Sequence, residues 1–230
     1  LSKGISWITF QNECAAIRID DQLCKQGKGI TLYSSFKQNL KGDKIYTVFE
    51  DSEGDEWILT NKGISIIGKK QVDSDFPFQY IKEADGIIYL VSQSDKLASY
   101  NFKTRQFKFI EIPYHVSMIN EVKKFDSNTL LLATDNGLII YKIKEKEFQL
   151  IDIRTSTQPS NVVQSVYQDH YKELWIFPQT TGVIRYNPST KEMQHLFTPA
   201  NEVIRYERKN KNVIFEDRQH TLWVLPPEGN

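Results

Sequence analysis

The sequence predicts an all-β fold, a β-propeller built of four-stranded antiparallel blades, and three observations predict it. A motif of strand, Asp turn, Trp strand and Gly turn recurs along the 230 residues. Its anchor residues, Trp7, Trp57, Tyr89, Leu131, Trp175 and Trp223, are spaced about 43 residues apart on average, the length of one four-stranded blade. No segment carries the apolar period of an amphipathic helix, whereas short β-rich runs bounded by Gly, Asn and Asp are frequent.

The clearest copy is residues 48–63, VFEDSEGDEWILTNKG. Residues 166–182 (VYQDHYKELWIFPQTTG) and 214–229 (IFEDRQHTLWVLPPEG) repeat it. In all three an Asp stands six positions before the Trp: Asp51, Asp169 and Asp217. Residues 123–137 are a weaker copy with Leu131 at the anchor and a turn one residue shorter after Asp126. Residues 82–96 are weaker still, with Tyr89 at the anchor, and GISWITF opens the chain inside a further copy. The Asp closes its turn by accepting from backbone amides two residues on. Gly54 supplies the positive φ of that turn, and Gly63 ends the second turn. The Trp is too large for one small sheet to bury, so neighbouring blades must stack on it. Asp51, Gly54, Trp57, Gly63, Asp169, Trp175, Asp217 and Trp223 are therefore read as structural residues of the repeat.

In chain order, strands are expected at 4–10 and 14–19, with a turn at Gln11-Asn12 and a polar loop over 20–29. The strand at 30–36 is expected to start a new blade. Residues 44–50, 56–60 and 64–67 are the next strands. Phe76-Pro77-Phe78 reads as an edge or connector, because Pro cannot donate to a central ladder. Strands at 79–83, 87–92 and 97–101 follow, with Asp85-Gly86 as a hairpin turn. Residues 107–112 are assigned to the fourth blade, together with 119–125, 129–134 and 138–143. The KEKE run at 144–147 is expected to be a solvated turn, and 148–153 the next strand. After a polar loop at 154–161 come strands at 162–168, 174–177, 183–186 and 193–197. The last are 203–206, 213–216 and 222–225.

Residues 1–230 are expected to form a partial β-propeller with no separate second domain. The chain begins and ends within copies, which leaves about five repeats. The faces of such an incomplete propeller are expected to be covered by flanking chain or by another molecule.

Composition narrows the function classes. Twenty-nine Lys and Arg balance 29 Asp and Glu, so the basic excess of a nucleic-acid surface is missing and no nucleic-acid contact is expected. No run approaches the length of a membrane-spanning helix, and residue 1 is Leu with no leader after it. Cys14 and Cys24 are close enough in sequence to bridge in an oxidising compartment, or to be two buried thiols.

Catalytic motifs are missing from the sequence. The four His residues (115, 170, 195 and 220) lack HxxxH or HExxH spacing, so no metal or cofactor is expected. His170 and His220 fall in the turns after Asp169 and Asp217. The pairs Glu50-Asp51 and Glu216-Asp217 invite a glycosidase reading, but neighbours on a strand point to opposite faces and do not flank one bond. Neither GxSxG nor a phosphate-cradling Gly loop occurs. Tyr114 and Tyr171 are the loop aromatics that could offer a platform to a ligand.

The motif resembles the two-component-regulator propeller repeat, whose pattern is a β-run, Asp, a Gly turn, Leu-Trp-Ile and a Gly before an outer strand. Residues 162–197 (VVQSVYQD, ELWIF, GVIRYNPSTKEMQHL) match it best and residues 44–67 nearly as well. Tyr89, Leu131 and Pro178 depart from it. Such repeats abound in the hybrid two-component systems of gut Bacteroidetes. The resemblance implies part of the periplasmic sensor region of a membrane protein. It implies an oligosaccharide ligand, dimerisation through the parent protein, and signalling through a histidine kinase and phosphorelay to transcription of glycan-utilisation genes. The alternatives are a propeller enzyme acting on polysaccharide and a plain protein-interaction scaffold.

Overall fold

A computed structural model describes residues 5–10, 15–20, 26, 28, 30–34, 44–67, 78–84, 87–92, 94–101, 104, 106–156, 158–179, 182–196 and 213–225. Every regular element among them is a β-strand, and every paired strand is antiparallel. The chain divides into two compact units, residues 1–110 and 111–230.

The first unit begins with a sheet of β1 (Ile5–Phe10), β2 (Ala15–Asp20) and β3 (Ile30–Ser34). A second sheet holds β4 (Ile45–Glu50), β5 (Glu56–Thr60) and β6 (Gly63–Ile67). A third holds β7 (Tyr80–Ala84), β8 (Ile87–Val91), β9 (Leu97–Asn101) and β10 (Gln106–Ile110) in chain order. Side chains of the second and third sheets meet in one core. Trp57, Leu59, Ile64 and Ile66 face Ile81, Ile88, Leu90, Ala98 and Tyr100, with Phe78 between them. Trp57 is fully buried and meets Tyr100 edge-on at 5.0 Å.

The second unit repeats this plan. One sheet runs β11 (Ile119–Asp126), β12 (Thr129–Thr134), β13 (Gly137–Lys142) and β14 (Glu147–Ile151). The next runs β15 (Val163–Gln168), β16 (Leu174–Pro178), β17 (Val183–Tyr186) and β18 (Met193–Leu196). A hairpin of β19 (Val213–Glu216) and β20 (Leu222–Leu225) follows. Leu131, Ala133, Leu138 and Ile140 pack on Val166, Leu174, Ile176, Ile184 and Tyr186.

The strand register aligns the repeats. Trp57 lies opposite Phe49, Tyr89 opposite Lys82, Leu131 opposite Lys123, Trp175 opposite Tyr167 and Trp223 opposite Phe215. Tyr89 and Leu131 thus fill the Trp position and are as buried as Trp57. Lys144, Glu145 and Lys146 of the KEKE run form a turn, with Lys146 at φ 57°, and Glu147 opens β14.

Two strand assignments differ from expectation. β3 pairs with β2 in the first sheet and does not start a new one. β10 pairs with β9 and completes the third sheet, where the sequence reading gave it to the fourth. For β10 the cause is connection length: only four residues separate Asn101 from Gln106, which favours return of the chain beside its predecessor. The expected strand at 203–206, the turns Gln11-Asn12 and Asp85-Gly86, Pro77, and Cys14 with Cys24 lie outside the described residues.

Candidate functional site

The six-residue spacing between Asp and Trp has a direct cause. The Trp57 indole Nε1–H donates to Asp51 Oδ2 at 2.8 Å. Trp175 donates to Asp169, and Trp223 to Asp217, at the same 2.8 Å. The other carboxylate oxygen accepts two backbone amides, those of Glu53 and Asp55 for Asp51 and of Gln219 and Thr221 for Asp217. Each Asp therefore satisfies the indole its own turn presents, which lets the ring be buried without orphaning its N–H. The Trp223 indole first, then the Thr221 amide, hold the Asp217 carboxyl below the usual carboxylate range.

The turn's third residue after the Asp has positive φ: Gly54 at 84°, Lys172 at 65° and His220 at 63°. An L side chain there costs about 1–2 kcal/mol. Lys172→Gly is thus expected to raise unfolding stability by about 1 kcal/mol, read as a shift in denaturation midpoint with unchanged slope.

A second device links successive sheets. Glu83 and Glu216 occupy the same register place, one residue past Lys82 and Phe215. Glu83 accepts the Ser52 backbone amide at 3.0 Å, and Glu216 accepts the His170 amide at 2.8 Å. Each carboxylate caps the Asp turn of the sheet before it. Glu83→Ala is expected to cost about 1–2 kcal/mol, because a hydrogen bond to a charged group is lost at a solvated edge.

The second of these links builds the site. The turns after β15 and β19 border an open cleft of about 400 Å³ lined by Tyr167, Gln168, Asp169, His170, Lys172, Glu216, Asp217 and His220. The His170 and His220 rings stack with centroids 3.8 Å apart. His220 Nδ1 lies 2.9 Å from Glu216 Oε1, and Tyr171 meets the His170 ring edge-on. Tyr171 itself is 71 % exposed. Burial, and behind it the Glu216 carboxylate, push the Tyr167 phenol up. Gln168 also lines the cleft, and its Nε2 is buried with no hydrogen-bond partner among the described residues.

The sequence-predicted residues separate clearly. Tyr171 is not among the residues that line the cleft, but its ring meets those of His170 and His220, which are. Tyr114 is partly buried and donates its hydroxyl to the Phe148 carbonyl at 3.0 Å, which ties it to the edge of its own sheet. Trp57 is a core residue, whereas Trp223 is 52 % exposed. The carboxylates of Glu216 and Asp217 both border the cleft but are held apart, one by the His170 amide and one by the Trp223 indole, because Asp217 already lies in the turn beyond β19. Spacing did not reveal that His170, Glu216 and His220 converge, because 46 residues separate His170 from Glu216. The available signal was the register: both His residues sit in the same turn of successive copies.

Comparison with known proteins bears first on the fold. Virginiamycin B lyase from Staphylococcus aureus superposes with a TM-score of 0.68 at 16 % identity, over 98 % of this chain and 82 % of the lyase. The extracellular domain of Bacteroides thetaiotaomicron BT3049, described as a hybrid two component system, superposes with a TM-score of 0.63 at 15 % identity, over 97 % of this chain and 31 % of that one. The chain has the β-propeller fold. Its four-stranded sheets are the propeller's blades, and the cleft lies between the Asp turns of two successive blades. In sequence the propeller is 22 % identical over 192 residues to histidine kinase P4 of Formosa agariphila. That match covers 83 % of this chain but 12 % of the kinase, so the chain spans a small part of its relative's length. No family model matches. The propeller thus resembles extracellular domains of Bacteroides hybrid two-component systems. No helix among the described residues is long and apolar enough to cross a membrane.

Proposed function

We propose that this propeller is part of the extracytoplasmic sensing region of a hybrid two-component histidine kinase and response regulator. Its ligand is an oligosaccharide, and its output is transcription of genes for using that glycan. The observation that carries the reading is the sequence match to a histidine kinase along 83 % of this chain, joined to the fold it shares with the extracellular domain of a hybrid system. The cleft between the last two Asp turns has the chemistry such a ligand needs. Tyr171, exposed beside the paired imidazoles, offers a flat face to a sugar ring, while Glu216 and Lys172 line the cleft with groups that hydrogen-bond hydroxyls. The parent protein is a periplasmic-facing membrane dimer. Ligand binding shifts the relative placement of its propellers and so biases the kinase, which requires different affinity for the two arrangements.

Reconstitution of the full-length parent in vesicles tests this. Its phosphoryl transfer should rise or fall saturably with one oligosaccharide class added on the sensor side. Transfer that ignores every oligosaccharide, while the kinase is active, contradicts the reading. A second reading is a lyase, favoured by the superposition on virginiamycin B lyase over 98 % of the chain. It predicts product formation by the soluble propeller alone.

A further inference from the structure

His170, Glu216 and His220 place one imidazole nitrogen each and a carboxylate oxygen within 4.8 Å of one another. We propose that these three side chains bind a borderline divalent transition-metal ion, Zn²⁺ being the reference case, between two blades of the propeller. The inference stands apart from the sensor reading and needs only this geometry.

Glu216 is pre-oriented. Its Oε2 is held by the His170 backbone amide at 2.8 Å, which turns Oε1 toward His220 Nδ1 at 2.9 Å. A carboxylate fixed through one oxygen and offering the other is the outer-sphere arrangement that strengthens metal ligands. The backbone amide of His170 thus positions the carboxylate, and its ring supplies a ligand. His220 enters from a left-handed backbone position that the equivalent turn fills with Gly54. That turn geometry directs its ring onto His170, with the planes 20° apart.

The chemistry selects the ion. Two imidazoles and one carboxylate suit Zn²⁺, Ni²⁺ or Cu²⁺ and disfavour Mg²⁺ and Ca²⁺, which demand oxygen shells. At metal–ligand distances of 2.0–2.2 Å a tetrahedral ion separates its ligands by about 3.3 Å. The Glu216–His220 pair is already that close, whereas the stacked His170 ring has to rotate out of the stack to bring a nitrogen lone pair, which lies in the ring plane, onto the ion. Binding requires the His220 tautomer that carries its proton on Nε2, so that the Nδ1 lone pair faces the ion in place of the contact with Glu216 Oε1. Asp169 and Asp217 are not ligands, because each spends its oxygens on an indole and on backbone amides. The cleft is open to solvent, so a three-ligand site leaves a position for water or for a ligand oxygen.

The test is titration of the tag-free, chelator-stripped full chain with ZnCl₂, followed by calorimetry and by thermal unfolding. Saturable one-to-one binding is expected, with a rise in Tm and no competition from excess MgCl₂. His170→Ala and Glu216→Gln should each weaken binding more than about tenfold. His220→Gly removes a ligand yet relieves the left-handed turn, so its metal-free Tm should match or exceed the parent's while its Zn²⁺ response disappears. That variant separates lost binding from lost folding. A Zn²⁺-induced Tm rise that persists in His220→Gly and in His170→Ala overturns the proposal. So does a folded parent that takes up no Zn²⁺ saturably.

Discussion

Trp57→Ala is expected to lower unfolding stability by roughly 3–5 kcal/mol, the range for deleting a fully buried large aromatic side chain. The residue is 0 % exposed and packs with Tyr100, Phe78, Leu90 and Ile81 in the core between two blades. Its removal opens a cavity in the place where those blades are joined. Trp57→Phe refills much of the volume but abolishes the bond from the indole to Asp51, which is itself 5 % exposed. That variant should still lose about 1–3 kcal/mol, because a buried carboxylate oxygen is left without its donor. Trp223→Ala should cost far less, since the same residue type in the same register is 52 % exposed there. Denaturant midpoints of the three variants measure the ranking. A Trp223→Ala loss as large as that of Trp57→Ala would refute the assignment of burial as the cause.

The second large effect is at Gly137. Gly137→Ala should cost about 3 kcal/mol or more, the sum of left-handed backbone strain and overpacking. Gly137 sits at φ 96°, and a Cβ there would stand 2.6 Å from the Ile151 carbonyl oxygen and 2.9 Å from Leu150 Cδ1. The backbone cannot retreat easily. Its amide donates to the Asn161 carbonyl at 2.6 Å and its carbonyl accepts from the Thr134 hydroxyl at 2.7 Å. Asn161 is in turn held by Asn136 and by the Ile153 amide. Gly54→Ala is the control. Nothing lies within 4 Å of its Cβ position, so only the φ cost of about 1–2 kcal/mol remains. Equal losses at the two glycines would show that crowding plays no part.

Much of this fold is legible in the sequence because the motif encodes local bonds. The Asp, its turn and the Trp six residues later form one closed unit, and each strand boundary falls where the turn residues place it. Tyr89 and Leu131 were recognisable as anchors because period and register agree. The sheet membership of β3 and β10 was not legible. A repeat has no phase of its own: β10 rejoins β9 after four residues and β3 rejoins β2 after nine, so the pairing itself assigns each outer strand. The links from Glu83 and Glu216 to the preceding turns are legible only once blades are known to stack. His170, Glu216 and His220 were each visible, but as a solvated turn residue, a paired carboxylate and another turn residue. Their convergence is a product of repetition: equivalent turns of adjacent blades meet in space whatever their separation in sequence. Tyr171 shows the same point, since its ring meets His220 of the next copy as well as its neighbour His170.

The measurement that tests the central claim most directly is a calorimetric titration of the complete extracytoplasmic region with plant, host and microbial oligosaccharides, with the sugar recovered and analysed afterwards. Saturable binding of one oligosaccharide class, returned intact, is the predicted result. Recovery of cleaved sugar would contradict it and favour the enzyme reading, and no binding to any oligosaccharide by the folded region would contradict both.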